Sequence, residues 1–220
     1  MSRSRASVLS ALLLTSVFVS LAAQAQHPST AAQADNYAVY ILERSKSPVN
    51  QQIMALIGKK DFKGLRNLIK KGTSIDEADN KGCRPIHYAA YMGSLEAMKI
   101  FAANRADLKA STFGRWSALH YAALGGHTEV IDFLVASGVP IDIVDSGGES
   151  PLFYAVESGH MATVQWLIEH GANINHENRK GDTPLSVAIE NGHRRLVEYL
   201  RQLGAAERSG EAQDTRGAIE

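Results

Sequence analysis

The chain has 220 residues, 45% hydrophobic and 21% charged, with 6 prolines and one cysteine. That balance supplies a core for one ordinary domain or two small ones and excludes a disordered polar tract, a membrane bundle and a collagen-like fibre. Basic and acidic residues cancel at 23 each, so no global field draws in nucleic acid or anionic lipid, and a single cysteine excludes an internal disulfide.

Residues 1–25 read as a Sec-type leader: Arg3 and Arg5 precede an apolar stretch from Val8 to Leu21, and Ala23-Gln24-Ala25 forms a small-x-small cleavage site. A membrane anchor is the weaker reading, because Thr15, Ser16 and Ser20 interrupt a run shorter than the ~20 apolar residues a span needs. Cleavage after Ala25 leaves 195 residues and a net charge of −2, without stable membrane insertion, and the AQA ending suggests delivery to the periplasm. Residues 26–45 form a linker in which Tyr37 to Arg44 are expected to add a capping helix.

From residue 46 onward the sequence repeats itself every 33 residues. Arg84-Pro85-Ile86-His87, Ser117-Ala118-Leu119-His120, Ser150-Pro151-Leu152-Phe153 and Thr183-Pro184-Leu185-Ser186 mark the frame. Gly93, Gly126, Gly159 and Gly192 hold a second column, with His127, His160 and His193 following the last three. Paired small residues (Ala89-Ala90, Ala122-Ala123, Ala155-Val156, Ala188-Ile189) hold a third, and Gly72, Gly138, Gly171 and Gly204 a fourth. A Ser or Thr before Pro is an N-cap with Pro at the first helical position, so short helices are predicted to start at Pro85, Ala118, Pro151 and Pro184. Each stops near its column glycine, and a second apolar run follows, as in Val130, Ile131, Phe133 and Leu134. The Asp/Asn/Gly groups at Asp79 to Gly82, Asp145 to Gly148 and Asn178 to Gly181 read as tight turns forming protruding fingers.

These motifs resemble the ankyrin repeat, whose pattern is G-x-TPLH-x-AA-xx-GH, an apolar helix, then GA-D/N-V-N. The matches are closest at Thr183-Pro184-Leu185, Gly159-His160 and Gly171-Ala172-Asn173-Ile174-Asn175. The resemblance implies an all-α repeat solenoid, a stack of helix-turn-helix units with β-hairpin-like finger loops. Its units are a degenerate N-terminal cap at 46–78, then 79–111, 112–144, 145–177 and a C-terminal cap at 178–210, with a disordered tail at 211–220. Arg105 stands in a glycine column, costing on the order of 1 kcal/mol unless Asn104 takes the left-handed conformation instead. Arg84 replaces the Thr or Ser that in the family bonds the motif histidine, so that bond is expected at Ser117 and His120 and is in doubt at His87. Terminal units of a stack must present a polar outer face. The lysines and arginines between Lys59 and Lys71, and Arg201 in an aliphatic column, read as the two caps.

Eight histidines invite a metal site, but five fall in repeat columns where the family uses them structurally, and His170 and His176 lack a second pair at ligand spacing. Cys83 stands at a finger beside a helix start, where the helix dipole and Arg84 favour thiolate; the plainer reading is an incidental exposed thiol. No nucleophile elbow, phosphate loop or zinc-protease motif is present, so neither an enzyme nor a cofactor is expected.

In the ankyrin family, partners contact finger tips and the exposed face of the first helix. Those columns hold Tyr91, Met92, Phe113, Trp116 and Leu124 in one half, and Glu149, Glu157, Arg179, Lys180 and Asp182 in the other. An apolar patch beside a charged strip suits a protein interface with a hydrophobic centre and polar rim. Tyr88, Tyr121 and Tyr154, also one column, are read as packing residues. The expected protein is a monomeric, non-enzymatic binding module of the periplasm, serving as an immunity protein or an enzyme accessory, with a secreted factor acting on a host protein as the alternative and an enzyme with a cryptic site the least favoured.

Overall fold

The computed structural model describes residues 47–208. The leader expected at 1–25, the capping segment within 26–45 and the tail at 211–220 lie outside the described residues. Within them the chain forms helical pairs: α1 (Pro48–Gly58) with α2 (Phe62–Lys70), α3 (Pro85–Tyr91) with α4 (Leu95–Ala103), α5 (Ala118–Leu124) with α6 (Thr128–Ala136), α7 (Pro151–Glu157) with α8 (Met161–Glu169), and α9 (Pro184–Glu190) with α10 (Arg194–Gln202). First helices pack on first helices and second helices on second helices, giving an all-α stack two layers thick.

Each pair arises from local chemistry. Ser47 Oγ accepts from the Asn50 N–H and Thr183 Oγ1 from the Ser186 N–H, satisfying amides that a helix start leaves unpaired. Every residue of α3 and α5 is buried, because these helices are enclosed by both their own second helix and the neighbouring repeats. The paired alanines at 89–90 and 122–123 are fully buried and let the helices approach closely. Second helices bury one stripe each, Val130, Ile131 and Leu134 in α6 and Val164 and Leu167 in α8. A fully buried aliphatic side chain of this kind contributes about 1.5–3 kcal/mol. At the ends the stripe narrows to Leu65 in α2 and to Leu196 and Leu200 in α10, as a terminal unit requires. Arg201 is exposed there and ion-paired to Glu207.

The glycine columns are left-handed wherever glycine fills them, and among the described residues three that are not glycine also take that conformation. Arg105 does so at φ 62° while Asn104 stays at φ −100°, which decides between the two alternatives. Lys60 (φ 55°) stands in the column of Gly93, and Arg115 (φ 62°) in the column of Gly82, Gly148 and Gly181. The sequence reading passed over both.

Candidate functional site

Each finger is built on a polar side chain that folds its own loop. Asp79 Oδ1 accepts from the N–H groups of Lys81 and Cys83, Asp145 Oδ1 from Gly147 and Glu149, and Asn178 Oδ1 from Lys180 and Asp182, all at 2.8–2.9 Å. In repeat 112–144, Thr112 Oγ1 substitutes and accepts from the Trp116 N–H at 3.1 Å. Neighbouring fingers are tied tip to tip: Phe113 N–H to Lys81 O, Ser146 N–H to Gly114 O and Arg179 N–H to Gly147 O, at 3.0–3.1 Å. The fingers are therefore hydrogen-bonded turns in a row, and within the described residues the β pairing outside named strands is a single bridge between Ser111 and Ser117.

Several histidines lock repeats to one another. At His120, Nδ1 accepts from the Ser117 N–H, and Nε2 lies 3.1 Å from the Glu149 carbonyl of the next finger. The hydroxyl of Ser117 adds a 2.9 Å contact to Nδ1. At His87 that hydroxyl is missing, yet the Arg84 backbone N–H still reaches Nδ1 at 3.0 Å and Nε2 still meets the Ala110 carbonyl. The doubt raised by Arg84 concerns one hydrogen bond of the set; the other two survive, with Ala110 in the same repeat, so His87 ties its own loop rather than the next finger. Burial pushes both imidazoles down to about 4, outweighing the carbonyl hydrogen bonds that favour protonation. His127, His160 and His193 point Nε2 at the carbonyls of Tyr91, Leu124 and Glu157, capping the C-terminus of the preceding repeat's first helix. His176 and His170 likewise bond backbone carbonyls. Among the described residues, no three His, Cys, Asp or Glu side chains gather to hold a metal ion.

The family description "Ankyrin repeats (3 copies)" matches residues 52–145 and again residues 119–209. The chain belongs to the ankyrin repeat family. Ankyrin repeat and SOCS box protein 3 of Bos taurus is 45% identical over 64 residues, which is 27% of this chain and 12% of that protein. The Homo sapiens protein of the same name is 42% identical over 62 residues with the same coverage. The likeness therefore spans a small part of each relative, and what it carries is the repeat. Ankyrin repeats are in general protein–protein interaction modules without catalytic activity.

In this ankyrin array the fingers and the free edges of the first helices form the surface on which the sequence placed its contact residues. Phe113 is 78% exposed at a finger tip, and its ring lies against Gly82, where an added Cβ would meet Cδ1 at 3.1 Å. Met92 is exposed at the end of α3. Trp116 is half-buried: its ring packs against Tyr154 at 4.3 Å and Tyr121 at 5.2 Å between centroids, so the indole belongs partly to the stack. Tyr88, Tyr121 and Tyr154 are all buried. Arg179 and Lys180 are exposed, and Glu149 and Glu157 half-buried.

Three expected contact residues are not accessible. Tyr91 and Leu124 are buried as the last residues of α3 and α5, where the following repeat covers the helix end and its histidine takes their carbonyls. Asp182 is buried because the chain's own C-terminal segment returns over it: Arg208 bonds its carboxylate, Asn178 Nδ2 approaches at 3.1 Å, and the Thr183 hydroxyl donates to the Ala206 carbonyl. Burial raises the Asp182 carboxyl, but the bonds from Arg208 and Asn178 outweigh it and hold the group below its ordinary value.

Cys83 also departs from expectation. Its side chain is buried, with Sγ 3.7 Å from the Tyr121 hydroxyl, and burial pushes the thiol up, against the thiolate character anticipated from Arg84 and the helix start. The column neighbours of Cys83 explain this. Trp116, one repeat on, is likewise tucked against a tyrosine of the following repeat, so the position faces along the stack.

Glu149 anchors the second half of the surface. The Tyr154 hydroxyl faces both carboxylates at once, at 2.8 Å from Asp145 Oδ2 and 2.9 Å from Glu149 Oε2, and Asn178 Nδ2 donates to Glu149 Oε1. Among the described residues Glu157 has no such donors. Burial and the nearby Glu149 push it up to about 7, and Lys180 offsets this only in part.

Proposed function

We propose that this ankyrin array is a non-enzymatic binding module exported to the periplasm, where it holds a protein partner on its finger and first-helix surface. The observation that carries the binding reading is Phe113: a large aromatic side chain 78% exposed on a hydrogen-bonded finger, with Met92 exposed at the end of α3 and Trp116 half-buried in the same finger. Burying such a patch against a partner is what gives protein interfaces their few dominant contacts. A standard interface of about 1,200–2,000 Å² fits on four such units. Export rests on the leader-like residues 1–25. An inhibitor plugging a delivered toxin and a stabiliser of a periplasmic enzyme are two roles that fit this reading, with a secreted factor acting on a host protein as the alternative.

Affinity capture from periplasmic extract with the wild-type chain and with Phe113→Ala tests the reading. Phe113→Ala is the cleaner variant, because Trp116 also supports Tyr154. The expected result is one partner recovered with wild type and depleted at least tenfold with the variant, and a mature chain starting at Gln26. Equal recovery with both contradicts the surface, and retention of the protein in the cytoplasm contradicts the export.

A further inference from the structure

The last two repeats carry the same pair of carboxylates in the same two columns, and among the described residues a guanidinium bonds one pair and none bonds the other. Asp182 and Glu190 stand 33 residues after Glu149 and Glu157. The guanidinium of Arg208 bridges the later pair, bonded to Asp182 and 3.1 Å from Glu190 Oε1. One repeat earlier, the described residues provide no ion pair to either Glu149 or Glu157. The earlier pair is next to aromatic surface: Glu149 accepts from the Tyr154 hydroxyl, and the Tyr154 ring is packed against Trp116. Burial and the nearby Glu149 push the Glu157 carboxyl up to about 7, and Lys180 offsets this only in part. A planar guanidinium satisfies two such carboxylates with a fork of donors that an ammonium lacks, and its flat face packs on aromatic rings.

We infer that the Glu149/Glu157 pair is the docking point for an arginine of the partner protein, taken in the manner in which Asp182 and Glu190 take Arg208. This rests on the binding surface proposed above and gives its partner a chemistry: an arginine flanked by apolar side chains, the arginine at the carboxylates and an apolar neighbour on Trp116 and Phe113. The chain itself supplies the precedent, because the two sites share columns, backbone frame and charge. They differ in that a guanidinium from the chain's own C-terminal segment bonds one pair, whereas the described residues supply none to the other, which is half-buried.

The test uses the full mature chain with two defined probes, acetyl-Leu-Arg-Leu-amide and the same peptide with citrulline, which keeps the shape and loses the charge. In ¹⁵N-resolved NMR titrations, the arginine peptide is expected to shift the amides of Glu149 and Glu157 and the indole N–H of Trp116, with at least tenfold weaker binding for citrulline. Glu149→Gln/Glu157→Gln is expected to abolish the difference between the peptides. Glutamine keeps the side-chain shape and one of the two acceptor oxygens that Tyr154 and Asn178 use, and the dispersion of the same spectra reports whether the variant is folded. Should it be unfolded, Glu157→Gln alone is read instead, with the same expectation. Equal binding of both peptides, or shifts confined to other residues, overturns the inference. Its failure is distinguishable from failure of the surface: a partner lost with Phe113→Ala yet retained with Glu157→Gln leaves the binding surface standing and removes the arginine.

Discussion

A Cβ added to Gly93 would lie 2.4 Å from Nδ1 of His127, one repeat further along the stack. The same relation joins Gly126 to His160 at 2.7 Å and Gly159 to His193 at 2.9 Å. The glycine thus meets two demands at once, a left-handed backbone at the end of the first helix and room for the imidazole that caps that helix. Gly192 has the same backbone conformation but nothing within 4 Å of its absent Cβ among the described residues, which hold no histidine one repeat on. Gly126→Ala is therefore expected to cost about 2–4 kcal/mol and Gly192→Ala about 1 kcal/mol. Urea denaturation of the two variants checks the difference; equal costs contradict the role given to the histidines.

Arg105 and Arg115 hold left-handed conformations on exposed positions, in columns that are otherwise glycine. Arg105→Gly and Arg115→Gly are each expected to stabilise the fold by about 0.5–1 kcal/mol, the relief of backbone strain exceeding the added entropy of the unfolded chain. A rise of a few degrees in thermal midpoint for each confirms this, and a fall contradicts it.

His87 and His120 are held neutral at about 4, below the unfolded value of 6.5. A depressed histidine contributes stability that is present above 6.5 and is lost as pH falls toward 4. Protonation also removes Nδ1 as acceptor for the helix-start amides. At pH 5 the loss is about 2 kcal/mol for each histidine. Denaturation midpoints are expected to drop steeply between pH 6.5 and 4, and His120→Gln is expected to flatten that drop.

Glu157 acts with the opposite sign. Its folded value, about 7, lies above the ordinary 4.5, so the carboxyl contributes stability that is present below 4.5 and is lost as pH rises through 7. Glu157→Gln is expected to stabilise the array by about 1 kcal/mol at pH 8 and to be neutral at pH 4.5. A variant with the same midpoint shift at both values contradicts the unrelieved charge at this position.

The period of 33 made most of the array legible, because a repeat that cannot cover its own apolar side writes the need for neighbours into every unit. Helix starts at Pro85, Ala118, Pro151 and Pro184 fall where the repeating motif placed them, with a side-chain N-cap bond at Thr183 and an imidazole bond to the N-cap amide at His87 and His120. What escaped the sequence reading depends on the next unit or on the chain's end. Tyr91 and Leu124 occupy the right column for exposure, and the following repeat covers them. Cys83 sits at a finger, and Tyr121 from the next unit closes over it. Arg208 stands in the column of Lys109, Asp142 and Asn175, so nothing in the periodicity signalled that it would occupy Asp182 and Glu190. Lys60 and Arg115 were readable by comparison with Gly93 and Gly82, since a glycine column predicts left-handed backbone for whatever residue fills it.

The central claim, a protein partner held on the finger surface, is tested most directly by placing a photo-reactive benzoylphenylalanine at position 113 and irradiating the exported protein in cells. For comparison the same group is placed at Asp132, exposed on the second helix α6. One discrete cross-linked partner at 113 with none at 132 is the predicted result. A partner at 132 and none at 113 contradicts the account.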